Sequence, residues 1–598
     1  MKIRRISAGV AVLAVGALAL SACSNTPSDE GSPSGSSGQG GTGGAGAATI
    51  TVAEVNQFTS LNATTATGNL DLNAKIALAT GAHLYYVTSD LTVEHDNSLG
   101  TVEKLSDDPL TVKYTINEGQ QWSDGEPIDA NDLVLAWAVY SGYYDDASYG
   151  DDGSVTGGNA YFSYAGSTQG INDTEFPEIG DDGRSITLTY AQPFADWEVV
   201  LDLDRPAHIV AKKAGLADAA ALTDLLRSQP RGDAANPQPE NPQLRAVADF
   251  YNTGWDTTTM PSDPDLLVSS GPYQVSDIVE GQSVTLTPNE NYTGTNKAKL
   301  DSIIVRTIGD PSAQIQALQN GEVDVISPQA NADTLSSLEG LSGVTVHQGA
   351  QLAYDHIDLN FSGVFADPNV REAFMKTVPR QAILDSIITP LDPEAQVLNS
   401  QVFLPQQDGY EEAVATNGSS AFGEPDIEGA KALLNGQTPT VRILYSSENT
   451  NRVDAFTLIQ QSASEAGFQI VDEGDATWNT RLGDGSYDAA IFGWTSSGVS
   501  VSDTPQVFGS GQASNFNGFA NPEADALMNQ LIQTVDPDEQ IALRQQIDKL
   551  IWDSFYGLPL FATVGVDAVA ERVTGIDAYN PNQYGVWWNV WEWGVNDA

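Results

Sequence analysis

Cysteine is almost absent from this sequence, because Cys23 is the one cysteine among 598 residues. No disulfide can therefore form within the chain. Basic residues are also scarce: 26 Lys and Arg face 79 Asp and Glu, and the formal net charge is −53. Such a charge argues against binding of DNA, RNA or an anionic membrane surface by the body of the protein. It is typical of a secreted protein that self-repulsion keeps in solution.

The usual patterns of catalytic and metal sites are missing as well. The five histidines show no HExxH or other paired metal spacing, and the sequence has no GxSxG or Walker motif. We therefore expect no enzymatic activity, no cofactor and no metal ion. A secreted hydrolase, built from Ser or carboxylate residues that are distant in sequence, is the alternative from another functional class.

The N-terminal segment predicts export and a lipid anchor. Three basic residues precede a short apolar run at 6–20, which is too short to span a membrane comfortably. The run ends in Leu-Ser-Ala-Cys at 20–23, which matches a bacterial lipobox. We predict a signal peptide over 1–22, lipidation of Cys23, and a flexible Ser/Gly tether that completes 23–48. An ordinary signal peptide with a coincidental cysteine is the alternative.

The stretch 121–132 has the clearest local structure. Asp124-Gly125 is typical of a tight turn, because glycine accepts positive φ without steric cost. Asp129 can then cap a helix, and Asp132 follows three residues later, in the first turn. The helix that follows, 133–140, is almost wholly apolar, so we predict that it is buried on most sides.

Strand and helix patterns alternate along 49–598, which favours α/β lobes with mixed sheets. Length alone suggests more than one domain. The segment 213–265, rich in Pro, Gln and Asn, interrupts the pattern, and we interpret it as an insertion or a long surface excursion. A cluster of tryptophans near the C-terminus favours core packing over a sugar-stacking surface: Trp587, Trp588, Trp591 and Trp593.

Several motifs resemble those of one protein family. The stretch 122–132, WSDGEPIDAND, is similar to the W-S-D-G-x-P-x-T-A-x-D signature of extracytoplasmic solute-binding proteins of ABC importers, in the oligopeptide/dipeptide-binding family, family 5. The segments 270–273, 321–324 and 365–374 resemble further motifs of the same family, in the family's order. The resemblance covers nearly all of the chain after residue 48, apart from the 213–265 segment.

The resemblance implies a two-lobed α/β fold like that of periplasmic binding proteins, with mixed sheets, a hinge between the lobes and an extra subdomain in the first lobe. We expect the first lobe to comprise 49–80, 187–307 and 567–598. The subdomain is then 81–186 and the second lobe 308–566. In such a fold, closure about the hinge encloses a ligand between the lobes.

The resemblance also implies a function. We expect a monomeric receptor that captures oligopeptides and delivers them to an ABC permease and ATPase complex. It would contact the outer face of the cell membrane through its lipid anchor only, and would bind no nucleic acid. An oligosaccharide receptor is the alternative within the binding class, and a signalling receptor whose ligand is never imported is another.

The resemblance carries over residue by residue to few positions. Trp494 resembles the family tryptophan whose following loop, here Thr495, Ser496 and Ser497, lines the cleft. Peptide binders of the family have an aspartate at the position of Ser497, where it pairs with the peptide α-amine, and Asp503 is the nearby carboxylate that could replace it. Neighbouring motifs add five ligand-binding candidates: Phe58, Thr59, Tyr161, Ser270 and Gly271.

Overall fold

The computed structural model describes residues 48–149, 155–476, 478–496, 498–512 and 514–596. In chain order its strands are β1 (Thr49–Glu54), β2 (Tyr85–Val87), β3 (Val93–His95), β4 (Gly100–Asp107), β5 (Leu110–Ile116), β6 (Ser148–Tyr149), β7 (Val155–Gly157), β8 (Glu178–Ile179), β9 (Ser185–Thr189), β10 (Tyr273–Val279), β11 (Ser283–Pro288), β12 (Ser302–Thr307), β13 (Val325–Ile326), β14 (Val344–Leu359), β15 (Thr440–Ser446), β16 (Gln469–Asp475), β17 (Ala489–Thr495), β18 (Gly557–Ala570), β19 (Val573–Thr574) and β20 (Gly594–Val595). The helices are α1 (Asp71–Thr80), α2 (Ala130–Tyr140), α3 (Ala207–Lys213), α4 (Ala219–Ser228), α5 (Pro242–Thr253), α6 (Pro311–Gln319), α7 (Ala332–Glu339), α8 (Pro368–Met375), α9 (Arg380–Ile387), α10 (Tyr410–Thr416), α11 (Ile427–Leu434), α12 (Thr450–Ala466), α13 (Asp503–Phe508), α14 (Pro522–Gln533) and α15 (Pro537–Asp553).

One mixed sheet runs through both lobes, in the order β10-β11-β12-β1-β13-β18-β14-β17-β15-β16. At one end β1 lies parallel to β12, and at the other β15 lies parallel to β16 and β17. The two longest strands, β14 and β18, lie antiparallel between these ends, and we call them the crossing strands. The half with β1 and β10–β12 is the first lobe, and the half with β15–β17 is the second lobe. The predicted two-lobed α/β fold with mixed sheets is confirmed.

The core of the first lobe is completed by the C-terminus of the chain. Trp587 and Trp593 are fully buried, with ring centroids 5.0 Å apart, and they pack with Ile50 and Val52 of β1. Trp587 also donates a hydrogen bond from Nε1 to Glu54 Oε1 at 2.8 Å. The core role predicted for the tryptophan cluster is confirmed for these residues and for Trp591.

The subdomain of the first lobe is built around α2. Asp129 accepts a hydrogen bond from the Asn131 amide at 2.8 Å, and Asp132 accepts one from the Asp129 amide at 2.9 Å. This capping box satisfies amide groups that have no partner inside the helix. The apolar residues of α2, such as Leu133 and Trp137, are fully buried, as the sequence predicts. The four-stranded sheet β4-β5-β9-β8 accompanies α2 in this subdomain.

The interpretation of 213–265 as a surface excursion is wrong. Helices α4 and α5 bury one face each, with Leu226 and Val247 fully buried in the same core as α2. The Pro-, Gln- and Asn-rich composition belongs to the exposed connection between the two helices, which ends at the capping residue Asn241. The core continues to Trp255, so the subdomain boundary expected at residue 186 does not coincide with an edge of this core.

Buried arginines hold the second lobe together. Arg371 donates a hydrogen bond to the Phe365 carbonyl at 2.6 Å. Arg380 is fully buried and donates to the carbonyls of Phe422 at 2.8 Å and Leu398 at 2.8 Å. Over the described ranges of the chain, no helix combines the length and the apolar character needed to cross a membrane.

Candidate ligand-binding cleft

A cavity of about 1010 Å³, which we call cavity A, lies in the cleft between the lobes. Its walls come from the end of β1 and from α1 in the first lobe, and from the segment 446–454 in the second. The crossing strands contribute Gln351 and Asp567, and the segment 579–586 forms a further wall. Both lobes and their connection therefore surround one space.

The floor of cavity A contains a buried ion pair. Lys75 Nζ lies 2.8 Å from Glu54 Oε2, and both side chains are almost inaccessible to solvent. Burial alone would lower the pKa of Lys75, but the carboxylates of Glu54 and Asp71 raise it above its usual value. Lys75 therefore remains protonated and paired with the Glu54 carboxylate.

A second buried carboxylate, that of Asp567, lies in cavity A on β18 and is 5% exposed. Burial raises the pKa of Asp567 to about 6, although the nearby Ser327 hydroxyl and the charge of Lys75 act to lower it. Beside it, the Tyr579 hydroxyl accepts a hydrogen bond from Gln351 Nε2 at 2.9 Å. Tyr579 fits against β18 because residue 565 is glycine: a Cβ there would lie 2.0 Å from the Tyr579 hydroxyl.

Trp494, predicted to begin the ligand loop, lines a recess of about 200 Å³ that adjoins cavity A. Its ring stacks on Phe516 with centroids 5.8 Å apart and an interplanar angle of 7°. In the same recess, Arg452 donates hydrogen bonds to both carboxylate oxygens of Asp355 at 3.1 Å each. The recess thus combines an aromatic face with a neutralised ion pair.

The loop after Trp494 connects cavity A with a second cavity. Thr495 is exposed and lines cavity A. The Ser496 hydroxyl donates to Asp503 Oδ2 at 2.7 Å, and Asp503 lines the second cavity at the start of α13. Ser497 lies outside the described residues.

The second cavity, cavity B, has a volume of about 310 Å³, and several aromatic side chains lie in its wall. The subdomain contributes Tyr85 and Tyr164, and the C-terminal segment contributes Tyr584 and Trp588. His83 Nδ1 lies 2.7 Å from Asp202 Oδ2. Burial alone would lower the pKa of His83, but the neighbouring Asp202 carboxylate raises it.

Asp196 links the two lobes directly. This buried carboxylate of the first lobe accepts hydrogen bonds from the Ser500 hydroxyl at 2.7 Å and from the Ser502 hydroxyl at 2.5 Å, both in the second lobe. The backbone amides of Val501 and Ser502 add hydrogen bonds at 3.1 and 3.0 Å. We call these four contacts the interlobe clasp.

The remaining sequence candidates contact other parts of the first lobe and line none of these cavities. Phe58 is buried in the first-lobe core, and Thr59 accepts a hydrogen bond from Asn73 Nδ2 at 2.9 Å. The Tyr161 hydroxyl accepts one from the Asn241 amide at 3.1 Å. Ser270 and Gly271 pack against the end of α1. The Ser270 hydroxyl accepts a hydrogen bond from the Ala82 amide at 2.9 Å, and a Cβ on Gly271 would lie 2.3 Å from the Gly81 carbonyl oxygen.

Asp567 and Asp196 were missed by the sequence analysis. Asp567 could have been found, because it is the one charged residue in the mostly apolar strand Gly557–Ala570, and isolated charges in buried strands are rare. Asp196 gave no such signal. Its partners at 500–502 are about three hundred positions away in sequence, and no local pattern connects them.

Comparison with known proteins identifies the family. A family model described as bacterial extracellular solute-binding proteins, family 5 middle, matches residues 84–516. The chain is 26% identical over 551 residues to uncharacterized lipoprotein Rv2585c of Mycobacterium tuberculosis, covering 89% of this chain and 91% of that relative. It is 25% identical over 501 residues to the oligopeptide-binding protein OppA of the same species, covering 81% and 75% of the two chains.

Solved structures share the fold. The periplasmic EDTA-binding protein EppA superposes with a TM-score of 0.77 at 24% identity, covering 92% of this chain and 97% of that one. The oligopeptide-binding protein AppA of Bacillus subtilis, in complex with a nonapeptide, gives a TM-score of 0.69 at 18% identity, covering 92% and 99%. With a family model that matches more than half of its residues, this chain belongs to the bacterial extracellular solute-binding proteins of family 5, the substrate-binding proteins of ABC importers.

Proposed function

We propose that this chain captures oligopeptides between its two lobes and delivers them to an ABC permease and ATPase complex. Cavity A carries the proposal, because residues of both lobes enclose it and its volume is about 1010 Å³. Pockets for small molecules are usually about 300–1,000 Å³, so this cavity suits an extended ligand. The names of OppA and of the AppA complex with a nonapeptide support a peptide.

The chemistry of the walls of cavity A is consistent with peptide binding. Neutral amide side chains line it from both lobes and from the C-terminal segment: Gln329, Asn449, Asn451, Asn582 and Gln583. Each can donate and accept hydrogen bonds, so together they match the alternating donors and acceptors of an extended peptide backbone. Backbone recognition of this kind gives affinity with little preference for ligand side chains.

We further propose that the mature protein is a monomer, held at the outer face of the cell membrane by a lipid on Cys23. The lipobox at 20–23 supports the anchor, and so do relatives named as lipoproteins, such as Rv2585c. Cys23 lies outside the described residues, so this part of the proposal rests on sequence. Closure of the lobes would present a liganded shape to the permease.

An oligosaccharide is the second candidate ligand, and cavity B favours it. Aromatic side chains from three segments line this cavity: Tyr85, Tyr86, Tyr164, Tyr584 and Trp588. Apolar ring faces with polar tips are suited to stacking on sugar rings. Cavity B has less than a third of the volume of cavity A, so it would hold only part of a long ligand.

Native mass spectrometry of the body, residues 49–598, tests the ligand class, followed by denaturation and identification of whatever co-purifies. All the cores described above lie within this range. A ladder of masses that fragments into amino acids is the expected result. Hexoses in place of amino acids would contradict the oligopeptide proposal and favour the alternative. Turnover of a chromogenic ester or glycoside by the same sample would point instead to a hydrolase.

A further inference from the structure

The charge balance of cavity A is strongly one-sided. Its walls carry six carboxylate side chains, of Glu54, Asp71, Asp333, Glu448, Asp454 and Asp567, but only two cationic side chains, of Lys75 and Arg452. Both cations are already engaged: Lys75 pairs with Glu54 at 2.8 Å, and Arg452 pairs with Asp355 at 3.1 Å. The cavity therefore has a surplus of negative charge that its own side chains leave uncompensated.

Asp567 is the part of this surplus that water reaches least. It is 5% exposed, and among the described residues no Lys, Arg or His nitrogen lies within 4 Å of its carboxylate oxygens. The neutral Ser327 hydroxyl and the charge of Lys75 both lower the pKa of Asp567, but burial outweighs them and the pKa stays raised. A buried carboxylate with no paired cation is costly in a folded protein. The opposite charge can come from a ligand, because Asp567 lines the cavity.

We infer that Asp567 binds a cationic group of the ligand, an ammonium or a guanidinium, inside cavity A. This inference rests on the proposed function and specifies one group that the ligand must carry. A cation beside Asp567 would form charge-assisted hydrogen bonds in a site where water competes little. The position differs from the loop after Trp494, because Asp567 belongs to a crossing strand shared by the two lobes.

The neighbours of Asp567 support a cation of modest size. Gly585 lies beside the Asp567 carboxylate, because a Cβ built on Gly585 would be 3.5 Å from Asp567 Oδ2. This close backbone limits the space for a bound cation. The Tyr579 hydroxyl accepts from Gln351, so its oxygen is already oriented by a donor. An amine of a peptide, the side chain of a Lys or Arg residue, and a free polyamine share the chemistry that this site would recognise.

The test compares what the full chain, purified in mild detergent, retains from two probe mixtures. The first contains short alanine-rich peptides with free amino termini and equal amounts of the same peptides with acetylated termini. The second contains spermidine and its fully acetylated form. Wild type should retain the free-amine forms about tenfold or more over the acetylated forms. Asp567→Asn should lose this preference, and Asp181→Asn, at an exposed position that lines none of the cavities described above, should keep it.

The outcomes distinguish cation binding by Asp567 from the proposed function. Retention of peptides without any preference for free amines would overturn cation binding by Asp567 and leave the oligopeptide proposal standing. If wild type retains spermidine but not peptides, and Asp567→Asn loses the spermidine, the result would support cation binding by Asp567 and contradict the oligopeptide proposal. Equal amine preference in wild type and Asp567→Asn, or no retention of any amine by wild type, would overturn the inference.

A second test uses wild type alone, so its result does not depend on whether the Asp567→Asn variant folds. Protonation of Asp567, whose pKa burial raises to about 6, should weaken retention of the free-amine probes as pH falls through that value. The acetylated probes should be unaffected and serve as the reference. The other titratable groups facing Asp567 are Lys75 of α1, Glu54 of β1 and Tyr579 of the C-terminal segment. Amine retention that does not change across this pH range would count against cation binding by Asp567.

Discussion

Asp196 of the first lobe accepts a 2.5 Å hydrogen bond from the hydroxyl of Ser502, which belongs to the second lobe. The contact is buried on both sides and is one of the four hydrogen bonds of the interlobe clasp. Because the acceptor is a carboxylate, each bond is stronger than one between neutral groups. The clasp therefore favours the arrangement in which the lobes meet over one in which they separate.

Asp196→Ala should shift the equilibrium of the ligand-free protein toward separated lobes. The four hydrogen bonds would be exchanged for bonds to water, at a net loss of about 2 kcal/mol, or about thirtyfold in the equilibrium. Small-angle X-ray scattering should show a larger radius of gyration. Glu198→Gln, two residues along and paired with His95 within the first lobe, is the matched control. Identical scattering from wild type and Asp196→Ala would show that the clasp does not hold the lobes together.

Arg380→Met should destabilise the second lobe by roughly 3–5 kcal/mol. The guanidinium is fully buried and donates to the carbonyls of Phe422, Leu398 and Pro559, and burial lowers its pKa to about 10. Methionine fills a similar volume but leaves those carbonyls without donors. Urea unfolding of the ligand-free protein measures the loss. Lys431→Met, at an exposed ion pair with Glu428 in the same lobe, should change stability by well under about 1 kcal/mol.

Stability should increase on mild acidification, against the usual trend. Burial raises the pKa of Asp132 to about 7 and that of Asp548 to about 6, from an ordinary value of 3.8. At a pH between the ordinary pKa and the raised pKa of each group, the folded state binds more protons than the unfolded state. The free energy of unfolding therefore falls as pH rises through this range. Hydrogen bonds lower the pKa of Asp182 and Asp426, which opposes the trend, but both residues are exposed.

The melting temperature should accordingly be higher at about pH 5 than at about pH 7.5. Asp548→Asn should flatten the profile, because it removes one of the groups whose protonation favours the folded state. A profile that rises steadily from about pH 5 to about pH 7.5 would contradict the predicted direction of these pKa shifts.

Gly565→Ala should displace Tyr579 from the crossing strands and cost about 1–3 kcal/mol of stability. The added Cβ would lie 2.0 Å from the Tyr579 hydroxyl and 2.6 Å from the ring carbon that bears it, so the side chain must move. Thermal unfolding measures the cost, and retention of peptide probes reports on cavity A. Gly157→Ala is the matched control, because no atom lies within 4 Å of a Cβ built there. Unchanged stability and retention would mean that Tyr579 moves without consequence.

Cys23→Ser should release the protein from the cell surface. The thiol is the atom that a lipobox presents for lipidation, and the chain has no second cysteine to replace it. Immunoblots of the membrane fraction and of the culture medium measure the distribution. Ser21→Thr, a conservative change within the same segment, is a control for export. Retention of the Cys23→Ser variant in the membrane fraction would contradict the lipid anchor.

Local chemistry explains what could be predicted from the sequence. The turn at Asp124-Gly125, the cap at Asp129 and the buried helix α2 all follow from residues within a few positions of one another. The apolar character of the C-terminal tryptophans likewise predicted burial, although not the partner. The family resemblance alone gave mixed results: Trp494 and Thr495 line a cavity, whereas Phe58 and Tyr161 contact other parts of the first lobe.

The cavity walls could not be predicted because they are assembled from distant segments. Cavity A joins the ends of β1 and β15 with the middle of β18, and no pattern within one segment shows which others will face it. The same holds for α4 and α5. The exposed connection between them dominated the composition of 213–265, while the spacing of Leu222 and Leu226 on a buried face was the weaker but more informative signal.

The hydrogen bond from Trp587 to Glu54 joins residues 533 positions apart. Protein synthesis proceeds from the N-terminus, so β1 exists long before its core partners Trp587 and Trp593 are made. The first lobe therefore cannot complete its core until this C-terminal segment has been synthesised, and we expect β1 to lack these partners for most of translation. For a chain that begins with a predicted signal peptide, this order of synthesis is useful, because a first lobe whose core is incomplete can still be exported as an unfolded segment.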